Sequence, residues 1–89
     1  MAIRLRQFSA PGTVSVPPCR LVAVYAKPTA GAVTVQVASR NAGVATVGAG
    51  GATWHEVNGG LGSVVADEVS ASWTGGADVR LYFDFGGVS

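Results

Sequence analysis

The stretch Glu68 to Phe85, EVSASWTGGADVRLYFDF, decides how the chain is read. It holds two runs with a period of two, separated by Gly75-Gly76. In the first, Val69, Ala71 and Trp73 point one way and Ser70 and Ser72 the other. In the second, Val79, Leu81, Phe83 and Phe85 share one face, while Asp78, Arg80, Tyr82 and Asp84 share the opposite one. Aromatic and β-branched residues alternating with polar ones mark half-buried strands. The two runs are expected to form an antiparallel hairpin. A two-residue turn at Gly75-Gly76 would set Ser72 opposite Val79 and throw the apolar sets onto opposite faces, because one step of register flips every side chain. A loop from Thr74 to Gly76, or from Thr74 to Asp78, restores a common face. The spacing therefore predicts a bulged or longer turn with glycine at positive φ.

Working outward, the rest of the chain repeats this texture. Ala2 to Phe8 alternates Ile3 and Leu5 against Arg4 and Arg6, an edge strand whose basic residues blunt its open side, or a docking arm. Ser9 to Gly12 reads as a turn, and Thr13 to Val16 as a short strand stopped by Pro17-Pro18, which lack N–H groups. Cys19 to Ala26 is nearly apolar, as expected of a strand covered on both faces. Lys27 to Gly31 is a loop, and Ala32 to Ala38 a strand with Val33, Val35 and Val37 inward. These two strands are expected to pair and form the sheet centre. Within the glycine-rich stretch from Ser39 to Ala52, Val44 to Val47 reads as a short strand between two tight turns. Thr53 to Val57 is another strand, followed by Asn58-Gly59, the strongest dipeptide signal for a type I′ turn. Leu61 to Ala66 leads into the Glu68 strand. The expected fold is a single all-β domain over residues 1–89, with 1–8 as its edge strand or docking arm. Its architecture is a small antiparallel β-sandwich or jelly-roll-like barrel of about eight short strands.

Composition narrows the function classes. The chain has 89 residues, 48% hydrophobic and 12% charged, with net charge +1. Charge at roughly half the usual ~25% leaves a bland surface poorly defended against association. Neither sign forms a block, so no nucleic-acid footprint is expected. The single cysteine, Cys19, excludes an internal disulfide. Arg4 and Arg6 interrupt any leading apolar helix, so neither a signal peptide nor a membrane span is expected, and the chain is expected to fold in a cytoplasm.

Chemistry-bearing patterns are sparse. His55 and Glu56 are adjacent on a strand and face opposite sides, so they cannot form an acid–base pair unaided. No nucleophile–base motif, phosphate loop or dinucleotide fingerprint occurs. The reading is of a protein that is not an enzyme, with no catalytic residues, metal or cofactor. Two tryptophans carry the alternative of a ligand platform, since indole faces stack on sugars. Trp73 shares its face with Val69 and Ala71 and is expected in the core. Trp54 fits either core or platform.

The segments TVQVASRN and TWHEV, taken with the terminal VSASWTGGADVRLYFDF, resemble small β-rich virion proteins of tailed bacteriophages, among them the decoration (cement) proteins of capsid shells. The resemblance is one of strand pattern and spans roughly Ala32 to Phe85. It implies a virion protein, made in the host cytoplasm, that adds to a preformed lattice as a homo-oligomer and binds capsid or other virion proteins. A tail, neck or fibre component is the near variant. Two other readings are a carbohydrate-binding β-sandwich using Trp54 or Trp73 and a small cytoplasmic interaction module. The candidate partner contacts are Ile3, Arg4, Leu5 and Arg6 at one end, and Arg40 and Asn41 in the segment Arg40 to Gly51.

Overall fold

The structure, a computed structural model, describes residues 3–40 and 42–85. Among the described residues seven strands follow one another: β1 (Ile3–Phe8), β2 (Gly12–Pro28), β3 (Val33–Ser39), β4 (Ala42–Ala49), β5 (Thr53–Glu56), β6 (Ser63–Ser72) and β7 (Ala77–Asp84). Every pairing is antiparallel, in the order β1-β7-β2-β6-β3-β4, with β5 also against β2. Among the described residues there is no α-helix.

The organising element is β2. Its first part, Gly12 to Leu21, pairs with β6, and its second, Arg20 to Pro28, pairs with β7. On the other side of that second part lies β5, opposite Ala23 to Ala26. Thus β2 belongs to two layers, β1-β7-β2-β5 and β2-β6-β3-β4. Distances along the chain show how sharply it curls. Gly12 pairs with Ala71 and Pro28 with Ala77, yet Ala71 and Ala77 are six links apart, about 23 Å at most. A straight β2 would hold Gly12 and Pro28 roughly 50 Å apart. The strand therefore folds over, and the sheet curls around a core.

Two irregularities make that bend. Pairing of β2 with β6 shifts register between Val16 and Cys19, leaving Pro17 and Pro18 unpaired, and pairing with β7 shifts between Leu21 and Ala23. A bulge adds a residue to one strand and increases its local twist. Opposite the first bulge, Asp67 has φ 73, a left-handed backbone inside β6. The prolines thus bend the strand where the sequence suggested they would stop it, because a curled sheet needs a place without ladder hydrogen bonds. The two runs read as separate strands, Thr13 to Val16 and Cys19 to Ala26, are one.

Two pairings differ from expectation. The runs of Glu68 to Phe85 form strands with the expected inward faces, but they do not pair as a hairpin. Both edges of β6 are occupied, by β2 and β3, and β7 lies between β1 and β2. The Gly75-Gly76 segment instead carries the chain from one layer to the other, with Gly75 at φ 95 and the Gly76 carbonyl accepting from the Thr29 N–H at 2.9 Å. Likewise, β3 pairs with β4 and β6 and not with β2. The short strand at Val44 to Val47 extends to all of β4. Asn58 and Gly59 have φ 51 and 65, as a type I′ turn requires, but they join strands lying along successive stretches of the same side of β2.

Between the layers lies one core. Leu21, Val24, Val79, Leu81 and Phe83 of the first layer meet Val35, Val37, Val47, Val65, Val69 and Ala71 of the second, all buried. Each of these valine, leucine and phenylalanine side chains contributes about 1.5–3 kcal/mol by leaving water. Cys19 is fully buried in this cluster, and burial pushes its thiol above its ordinary value of 9.0. A thiol reagent at neutral pH should therefore label Cys19 only as fast as the protein opens, and at once in denaturant, as mass spectrometry would record. Because the folded thiol holds its proton longer than the unfolded one, its contribution to stability is intact below about pH 9 and falls as pH rises beyond it.

Candidate functional site

The two layers present unlike outer faces. On the second, Thr13, Ser15, Ser70, Ser72, Gln36 and Thr46 follow one another in register, a mostly uncharged polar surface. On the first, cross-strand rows bring together Gln7, Arg80, Tyr25 and Trp54, and next to them Leu5, Tyr82, Ala23 and Glu56. Residues directly opposite in a ladder share a face, so this surface follows from the pleat alone. It is where aromatic rings and unpartnered aliphatic side chains gather.

Trp54 is 53% exposed. Its ring lies 4.8 Å from that of Tyr82 at 54°, a tilted contact that holds one side of the indole. Arg80 lies over Tyr25 at 5.3 Å, a cation–π distance, and its guanidinium reaches Asp78 at 3.0 Å. The Asp78 carboxylate, assisted by the Tyr82 hydroxyl, raises the Arg80 pKa above its ordinary value. Gln7 donates from Nε2 to the other Asp78 oxygen at 3.0 Å, tying β1 to β7. Beside Trp54 is a shallow depression of about 250 Å³ with Val22 and Ala23 in its lining, bounded by Ile3 and Leu61 and by Arg20, Glu56 and Asp84. Leu61 is 79% exposed.

The contacts read from sequence fall into two separate places. Ile3, Arg4, Leu5 and Arg6 sit together on β1, which among the described residues pairs with β7 alone and forms an edge of the sheet. Ile3 and Leu5 share the aromatic outer face, each 47% exposed; Arg4 and Arg6, opposite Phe83 and Leu81, lie on the core side but reach solvent. Neither arginine has an ion pair among the described residues. Arg40 stands after β3 in the other layer, 3.4 Å from Asp67 in an exposed pair. Asn41 lies outside the described residues. The two tryptophans do not form a common platform. Trp73 packs partly buried against the core where the chain crosses between layers, with its Nε1 buried and unpartnered. Of the pair, Trp54 alone is exposed.

His55 and Glu56 point to opposite faces, His55 opposite Val24 and Glu56 opposite Ala23. Among the described residues no three of His, Cys, Asp and Glu gather closely enough to hold a metal ion, and no helix is long and apolar enough to cross a membrane. The residues around Trp54 (Tyr25, Tyr82, Arg20, Glu56, Leu61) are ones the sequence reading did not assemble. The signal for Tyr82 was present in the polar face of β7, but the neighbours come from β2 and β5, whose pairing the sequence does not reveal.

Fold and surface together define a class: a small antiparallel β-sandwich with one aromatic, partly apolar outer face and an open edge. No protein-family model matches this chain, and no curated protein matches it either.

Proposed function

We propose that the protein is a non-enzymatic structural component of a bacteriophage virion, a decoration protein that docks on the head shell through the open edge of β1 and stabilises it. The supporting observation is β1 itself. It is an edge strand with two exposed aliphatic side chains on one side and two arginines, unpaired among the described residues, on the other. An open edge offers a row of backbone N–H and C=O groups to a partner, and Arg4 and Arg6 favour an acidic one. A two-fold pairing of β1 with β1 of a second copy that keeps the faces aligned would set arginine opposite arginine, which is destabilising. Self-association is accordingly assigned to other surfaces, and symmetry then multiplies a small contact into high avidity. A tail, neck or fibre position would use the same edge.

The test is deletion of Met1 to Arg6. Ile3 to Arg6 are all exposed, so the truncated chain should retain its near-ultraviolet spectrum and cooperative melt. Its occupancy on purified heads should drop to background. Normal occupancy by a folded truncated chain would refute docking through β1, and absence of the intact protein from every virion fraction would refute the proposal as a whole.

A further inference from the structure

We infer that the depression beside Trp54 binds a single pyranose, a sugar ring with a flat C–H face. Such a ring offers two things at once: apolar C–H bonds on its face and hydroxyls, each donor and acceptor, around its rim. The depression matches both. The exposed indole of Trp54 provides a stacking plane already fixed from one side by Tyr82. Around it stand a guanidinium, Arg20, and two carboxyl side chains, Glu56 and Asp84, which suit hydroxyls as donor and acceptors. Gly60, at φ +95, helps shape the rim: a Cβ there would come within 3.2 Å of the Glu56 carboxylate. Glycine therefore leaves that carboxylate room at the edge of the depression.

Other ligand classes fit less well. Charges of both signs at the rim disfavour a strongly anionic or cationic ligand, and a purely apolar one would desolvate them without replacing their hydrogen bonds. At about 250 Å³ the space holds one ring and falls short of the several hundred Å³ usual for drug-sized ligands. Ile3 belongs both to the edge of β1 and to the wall of the depression, so a docked edge would border this site. The two proposals are argued from different observations, and neither rests on the other.

The experiment is a titration of the isolated full chain with methyl β-glucoside, methyl β-N-acetylglucosaminide and methyl β-galactoside. Each is taken to about 100 mM, enough to fill a millimolar site almost completely, with glycerol as a polyol lacking a ring. Nuclear magnetic resonance should show saturable shifts of the Trp54 indole N–H and the amides of Thr53 to Glu56 and Leu61 with at least one glycoside, and none with glycerol. Trp54→Ala should weaken binding more than tenfold, Trp54→Phe should restore part of it, and Glu56→Gln should weaken it severalfold. Trp73→Phe should leave it unchanged. The inference is overturned by the absence of saturable shifts with all three glycosides, or by undiminished binding to Trp54→Ala that is still folded by circular dichroism. It is also overturned if N-acetylphenylalaninamide moves the same signals at lower concentration than any sugar, which would assign the site to a partner's side chain. Because no capsid takes part, the result is separable from the docking test.

Discussion

Phe83→Ala should cost the chain a large share of its stability and shift its urea midpoint sharply downward. Phe83 is fully buried on β7, opposite Leu21 on one side and the backbone of Arg4 on the other. Its ring stacks at 6.1 Å and 11° on Phe85. Removing such a ring costs about 3–5 kcal/mol, the lost transfer energy plus the cavity that remains. A domain of this length has a total stability on the order of 4–13 kcal/mol. The core around Phe83 is mostly valine and alanine held on hydrogen-bonded strands, so it has few long side chains that could swing in to fill the gap. Phe85→Ala, at a half-buried position just past the strand, should cost far less. Urea titrations followed by tryptophan fluorescence would give both values. A loss below about 1 kcal/mol for Phe83→Ala would show that the ring is not packed as described.

Gly62→Ala should be nearly as damaging, although it adds a single methyl group. Gly62 is buried between the Asn58-Gly59 turn and β6, with φ +77, where any Cβ is strained by about 1–2 kcal/mol. Space is the second obstacle. A Cβ there would lie 3.0 Å from the Leu21 carbonyl oxygen, 3.0 Å from Val22 Cγ1 and 3.3 Å from Arg20 Cβ. The first of these is backbone, in the part of β2 that both layers share, and it cannot step aside without disturbing both ladders. Overpacking of this kind adds about 1–3 kcal/mol. Gly31→Ala is the control, since Gly31 has φ +69 but nothing within 4 Å of its would-be Cβ. The difference between the two midpoints isolates the steric part. Equal losses would mean that backbone strain alone acts at Gly62.

Alternation showed which way side chains point, and the inward faces at Val33 to Val37, Val69 to Ala71 and Val79 to Phe83 are those of the structure. It was silent on neighbours. A run such as VRLYF has the same pattern whichever strand lies beside it, so alternation points only to the nearest run as partner, as in Glu68 to Phe85 and in Cys19 to Ala38. Pairing here skips those runs because β2 is long enough to serve both layers. Pro17-Pro18 was read correctly as a place without ladder bonds, but whether a strand ends or bends there depends on what lies beyond it. Asn58-Gly59 was legible because its conformation is local. The surroundings of Trp54 were not, since they depend on β5, β2 and β7 being adjacent.

The register Ile3 to Asp84 joins the beginning of the described chain to its end. During synthesis the first layer can therefore close only after the residues through Asp84 have left the ribosome, and until then β7's neighbours wait with their backbone groups open. Contacts so distant in sequence form slowly. In a cell producing many copies at once, this interval is when the chain is most exposed to mispairing with another nascent copy.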